Sequence, residues 1–196
     1  AGMTYYVSGN IEINESDAET AVDLSAEETA NTYYVTRANT LYSFDATVKG
    51  NGEQQYALEE TAIEPKSLLV LWYTCLQTSS EPWARNEPIL MQSLTLAPDG
   101  RAYFRTPAAF VPGNVVIVAL DQELDYDTVV AETTHVISNA NVLWSWNLVV
   151  SEGYDPMAAE NQYQKGGYTF MSRDLGAFLD SEDAVIDGAT NMFALA

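Results

Sequence analysis

Residues 141–151 read NVLWSWNLVVS, a short run in which apolar and polar positions alternate. In an extended chain residues two apart share a face. Trp144, Trp146, Leu148 and Val150 therefore line one side, and Ser145, Asn147 and Ser151 the other. A face that apolar has to be covered, which confines the segment to a half-buried strand of a sheet that owns a core. The two indoles admit a second reading, as an exposed stacking platform for a sugar or a base. Large aromatic area usually goes to the core, so both tryptophans are expected to point inward, with the serines on the wet side.

The rest of the chain repeats the theme. SLLVLWYTCL (67–76) and NVVIVALD (114–121) are nearly continuous apolar runs, the pattern of strands covered on both faces, and the first is expected at the centre of a sheet. TYYVSGNIEI (4–13), TYYVTR (32–37) and LYSFDATVK (41–49) are β-prone, and Gly50-Asn51-Gly52 marks a turn. In ILMQSLTLAPDGRAYFRTP (89–107) two strand-like runs flank Pro98-Asp99-Gly100, a hairpin cue. NESDAETAVDLSAEETAN (14–31) reads as an acidic surface connection with a helical turn. TSSEPWARNEP (78–88) reads as a loop, 121–141 as a long connection and 152–167 as a turn-rich linker. YTFMSRDLGAF (168–178) then resumes strand character. Only SEDAVIDGATNMFALA looks helical, with Ser181 as N-cap and Glu182 and Asp183 in the first turn.

These signals predict an all-β fold, an antiparallel β-sandwich of immunoglobulin-like or transthyretin-like topology with a short C-terminal helical segment. The sandwich is expected over residues 1–165. Residues 166–196 read as a C-terminal extension, on one reading the start of a further domain. The chain has 196 residues and 47% hydrophobic content, enough for a packed core. No run of 18 apolar residues occurs, so no transmembrane helix is expected.

Charge narrows the partners. With 28 acidic and 8 basic residues the net charge is −20, which repels phosphate backbones and argues against nucleic-acid binding. DQELDYD places Asp121, Glu123, Asp125 and Asp127 at alternating positions, a set of oxygen ligands for calcium if it is more than a solvated acidic loop. The spacing lacks the glycine and terminal glutamate of a helix-loop-helix calcium site, and no metal or cofactor is expected. Cys75, the single cysteine, sits in an apolar run and reads as a buried hydrophobe. His135, the single histidine, has no partner implied by spacing, and no nucleophile or phosphate-loop motif is present. No catalytic residue is expected. For ligand contact the candidates are Trp83, which lies outside any strand pattern, with Arg85 and Asn86 beside it to bond hydroxyls. The same tryptophan also reads as the closure of a sandwich end.

Two stretches carry a resemblance. ANTYYVTRANTLYSFDATVKGNG (30–52) offers Ala30, Asn31, Tyr33, Val35, Tyr42, Phe44 and Val48 to Asn51. VLWSWNLVVSEGYDPMAAENQYQKGGYTFMSRDLGA (142–177) offers Leu143 to Trp146, Tyr154 to Pro156, Met171, Arg173 and Leu175 to Ala177. Together they resemble segments of fimbrillin-like surface proteins of anaerobic gut bacteria. Thr32 stands where that family usually has cysteine, and Asn147 where it has histidine. Ser172 and Asp174 stand where it has Asp and Asn. The resemblance implies an exported protein, held at the cell surface or outer membrane through an upstream lipoprotein signal. It would serve as a non-enzymatic fimbrial subunit or adhesin, with other surface or fimbrial subunits, or host and dietary glycans, as partners. It brings no catalytic residues. The alternative is a glycan-binding module of a surface polysaccharide-uptake or degradation system, which requires aromatics exposed in a line.

Overall fold

The computed structural model describes residue 13 and residues 15–53, 60–75, 94–108, 112–123 and 141–173. Regular structure there is almost entirely extended. After a six-residue helix α1 (Glu15–Thr20) come β1 (Val22–Asp23), β2 (Thr32–Val35), β3 (Leu41–Asp45), β4 (Ser67–Cys75) and β5 (Thr95–Leu96). β6 (Arg101–Arg105), β7 (Gly113–Leu120), β8 (Val142–Val150), β9 (Gln162–Lys165) and β10 (Tyr168–Met171) follow, with a 3-10 turn at Ala159–Asn161 before β9. The strands form two four-stranded sheets, ordered β1-β3-β6-β5 and β2-β8-β7-β4, and a separate hairpin β9-β10.

The sheets are mixed, which corrects the expectation of a purely antiparallel fold. β1 pairs with β3 in parallel, and β2 pairs with β8 in parallel from Thr32↔Asn147 to Val35↔Val150. Parallel neighbours need a long connection between them. Both pairs have one, because the chain changes sheets between consecutive strands: β2 intervenes between β1 and β3, and most of the fold between β2 and β8.

The change of sheet after β2 is held by a small hydrogen-bond hub. Asn39 adopts left-handed backbone (φ 46°), and the buried Thr106 hydroxyl donates to the Arg37 carbonyl (2.8 Å) while accepting from the Thr40 amide (3.0 Å). The Tyr42 hydroxyl accepts from the amide of Arg37 at 2.9 Å. These groups satisfy backbone that has left one ladder and not yet joined the next.

One hydrophobic cluster draws on both sheets. Tyr42, Phe44, Ala102 and Phe104 come from one, and Val35, Leu68, Val115, Ile117, Trp146 and Leu148 from the other. Phe44 meets Trp146 across the interface with ring centroids 5.1 Å apart, and Tyr42 stacks on Phe104 at 5.5 Å. β8 shows the face expected of it, since Trp146, Leu148 and Val150 are buried in this core. Two details differ. Trp144 is only half-buried, at the margin of the cluster. The opposite face is not wet along its length either, since Val149 and Ser151 are buried. β4, expected at the centre, is the outermost strand of its sheet among the described residues. Its first residues are nonetheless buried on both faces, Leu68 and Val70 in the shared core and Leu69 opposite.

Local turn chemistry follows the sequence. β5 and β6 pair around Pro98-Asp99-Gly100, closed by Gly100 N–H to the Ala97 carbonyl at 2.9 Å. Gly100 has φ +84°, and a Cβ there would lie 2.2 Å from Cγ2 of Thr47. Gly100→Ala should therefore cost about 1–3 kcal/mol, from left-handed strain and the clash. Urea unfolding of the variant checks this, and an unchanged midpoint would contradict it.

A polar cluster ties β1 to β6. Asp23 pairs with Arg101 and accepts from the Ser25 amide (2.9 Å) and hydroxyl (2.8 Å), while Arg101 also donates to the Ser43 hydroxyl at 3.1 Å. Burial alone raises the Asp23 pKa, but the bonds from Ser25 and the Arg101 charge outweigh it and hold the carboxyl below its usual 3.8. A depressed folded-state pKa stabilises fully above the unfolded value and is lost as pH falls through the folded one. The stability gap between the natural chain and Asp23→Asn should thus be widest near neutrality and close in strong acid. Paired urea titrations across that range measure it, and a gap that widens in acid would refute the sign.

Of the hairpin β9-β10, the first strand falls in the region expected as linker and the second in the run 168–178 expected as strand, and the boundary placed after residue 165 lies between them. Its turn uses Gly166 and Gly167, both at positive φ. The expected strand over residues 4–13, except residue 13, lies outside the described residues, as does the helix over 181–196.

Candidate functional site

Asn31 ends the approach to β2, and its carbonyl accepts from the amide of Asn147 at 2.8 Å, one step beyond the β2-β8 ladder. That pairing sets residue 31 beside the start of β8, where the Trp144 indole N–H donates to Asn31 Oδ1 at 2.8 Å. The preceding amide, Ala30 N–H, donates to the Tyr33 hydroxyl at 2.9 Å. Burial raises the Tyr33 pKa, partly offset by that bond.

The third element is the turn after β3. Lys49 N–H bonds the Thr61 carbonyl (2.8 Å), Gly52 N–H returns to the Lys49 carbonyl (3.0 Å), and Glu53 N–H bonds Asn51 Oδ1 (3.1 Å). Gly50, at φ +57°, faces the Asn31 amide, and a Cβ there would stand 3.6 Å from Oδ1. Between this turn, the segment Glu28–Asn31 and the Trp144 side chain lies an open cleft of about 450 Å³. That volume falls in the range of small-molecule sites. Its rim carries both signs of charge, Glu28 and Glu53 with Lys49, and its wall is an indole. Asn31, Lys49, Gly50, Asn51 and Trp144 come from the two stretches whose resemblance is noted above, so residues far apart in sequence converge here.

A second surface belongs to the hairpin. Register places Phe170 opposite Tyr163 and Tyr168 opposite Lys165, so all four side chains share one face. Tyr163 and Phe170 stack with centroids 5.3 Å apart, and Tyr168 meets Phe170 edge-on at 6.4 Å. All three rings are open to solvent, at 51%, 42% and 72% exposure for Tyr163, Phe170 and Tyr168. The base of the hairpin is pinned to the segment that follows β8 by Arg173, whose guanidinium lies 3.9 Å above the ring of buried Tyr154 and donates to the Ser151 hydroxyl at 2.7 Å. Tyr34 of β2 packs against the same tyrosine at 5.6 Å. The aromatic face is thus presented on an anchored stem.

The residues singled out from sequence fare differently. Trp83, Arg85, Asn86 and His135 lie outside the described residues, as do Asp125 and Asp127. Asp121 is described, and it uses both oxygens on Asn141: the backbone amide at 2.8 Å and the side-chain amide at 2.7 Å. Those two bonds lower its pKa, and they clamp the end of β7 to the start of β8. Among the described residues no three His, Cys, Asp or Glu side chains gather as metal ligands, and no helix is long and apolar enough to cross a membrane.

Sequence reasoning missed both surfaces. Trp144 reads as core because alternation assigns a face without saying where along the strand its cover ends. The hairpin had an available signal, Gly166-Gly167 between Tyr163 and Tyr168-Thr169-Phe170. No family model matches the chain, and no curated protein or solved structure matches it at a significant level.

Proposed function

We propose that this chain is a non-enzymatic bacterial surface protein, a fimbrial subunit or adhesin that works by contact with protein or glycan. The observation that carries the reading is the exposed aromatic face of β9-β10. A two-stranded hairpin gains little stability by itself, and three exposed rings on one side of it form the kind of patch that marks an interaction surface. The resemblance supports export and surface location, and its residues meet at the Trp144 cleft. The two sheets over one core fit a sandwich of immunoglobulin-like or transthyretin-like type, a scaffold that offers loops and hairpins rather than a catalytic cleft.

The test is binding of the purified chain to arrayed neutral and acidic glycans and to immobilised copies of itself. Saturable binding is expected, weakened about tenfold in Tyr168→Ser/Phe170→Ser. The melting temperature should stay within a degree or two, as for other exposed substitutions. Binding untouched by that pair would sink the contact face, and turnover of any substrate would sink the non-enzymatic reading.

A second reading, a glycan-binding module of a surface polysaccharide-uptake or degradation system, is favoured by the Trp144 cleft and by the row of exposed rings on the hairpin.

A further inference from the structure

We propose that the cleft beneath Trp144 binds a neutral saccharide, one or two sugar rings of a longer chain. This deepens the glycan-binding reading and rests on it.

The chemistry of the rim selects among ligands. An anionic ligand needs donors and positive charge, and Glu28 and Glu53 oppose it. A cationic ligand needs acceptors, and Lys49 opposes that. A neutral polyhydroxylated ligand asks for acceptors and donors side by side, because each hydroxyl both gives and takes a hydrogen bond. Carboxylates, an ammonium and the amides of Asn31 and Asn51 supply that mixture in one cleft. The net charge of −20 adds to the case against an anion at longer range, while against a cation only Lys49 at the rim acts.

The remaining features fix orientation. Two of the polar groups already have one end committed: Asn31 Oδ1 to the Trp144 indole, and Asn51 Oδ1 to the Glu53 amide. Each amide is thereby held in one orientation, with its nitrogen as the donor. The bond to Asn31 also holds the Trp144 ring, so the apolar wall against which the C–H face of a pyranose packs is set before binding. Preorganised groups lose less freedom on association. Gly50 keeps the floor low, because its positive φ excludes most side chains at that point.

The experiment is proton–nitrogen NMR of the whole chain, titrated to millimolar concentration with glucose, galactose and N-acetylglucosamine, and in parallel with glucuronate and glucosamine. At least one neutral sugar should move the Trp144 indole N–H signal while that of Trp146 stays in place. Asn51→Ala should weaken the effect about tenfold, with the melting temperature lowered only by the loss of the one turn bond to the Glu53 amide. Trp144→Phe, followed at the Gly50 amide, should weaken it as much. The proposal is overturned if no neutral sugar moves the signal, if Asn51→Ala binds as well as the natural chain, or if either charged sugar binds more tightly than its neutral parent. A glycan array separates the two levels. Array binding that survives both substitutions keeps the glycan reading and removes this site. A blank array with a blank titration removes both, and a blank array with a positive titration supports the cleft alone.

Discussion

Replacing Trp146 with alanine should destabilise the protein by about 3–5 kcal/mol, the range for emptying a buried large aromatic position. The indole is fully buried, opposite Ile117 in the ladder and 5.1 Å from the Phe44 ring of the other sheet. Removing it opens a void where the two sheets meet, and neighbouring strands that are hydrogen-bonded along their length close such a void only in part. Its indole N–H has no hydrogen-bond partner among the described residues, so Trp146→Phe removes no bond seen there and should cost far less. Trp144→Ala, on the same strand, loses a half-exposed ring and one bond to Asn31, about 0.5–1.5 kcal/mol for the bond. Urea unfolding followed by far-ultraviolet circular dichroism ranks the three. Equal costs for Trp144 and Trp146 would show that the shared core is not where the structure puts it.

Thr106→Val should cost about 2–3 kcal/mol although it keeps the shape of the side chain and makes it more apolar. The hydroxyl serves the Arg37 carbonyl and the Thr40 amide at once, and valine leaves both without it. Thr106→Ser keeps both bonds, loses one methyl, and should cost about 1 kcal/mol. The diagnostic is the order: a valine variant that melts at or above the serine variant would mean that apolar burial, and not the hub, holds the crossover between sheets.

What could be read from the chain was what depends on neighbours in sequence. Alternation gave the buried face of β8 through Trp146, Leu148 and Val150, and Pro98-Asp99-Gly100 gave the β5-β6 hairpin. Pairing partners are a different matter. Nothing in TYYV names residues 147–150 as its parallel neighbours, because a register over that separation is decided by which sheet each strand ends in. The β9-β10 hairpin was legible only in its second strand, within residues 168–178, and its pairing was hidden by its composition. Its other face carries Gln162, Gln164, Thr169 and Met171, and a strand without a buried side lacks the contrast that periodicity detects. The cleft was illegible for a third reason. Residues 31, 50 and 144 are each ordinary alone, a strand leader, a turn glycine and a strand tryptophan, and become a site only where the β2-β8 ladder brings them together.

The position of β8 between β2 and β7 has a consequence for how the molecule is made. β2 emerges from the ribosome early and β7 much later, yet neither touches the other, and the strand that joins them is not complete until residue 150. Until then both present an unsatisfied row of amides and carbonyls, and the shared core lacks its largest buried side chain. A nascent chain stalled before residue 142 therefore lacks the one strand through which β2 joins the sheet of β7. Folding is expected to be late and concerted rather than progressive. Arrested chains released just before and just after residue 150 should differ sharply in protease resistance, with little gradation between them.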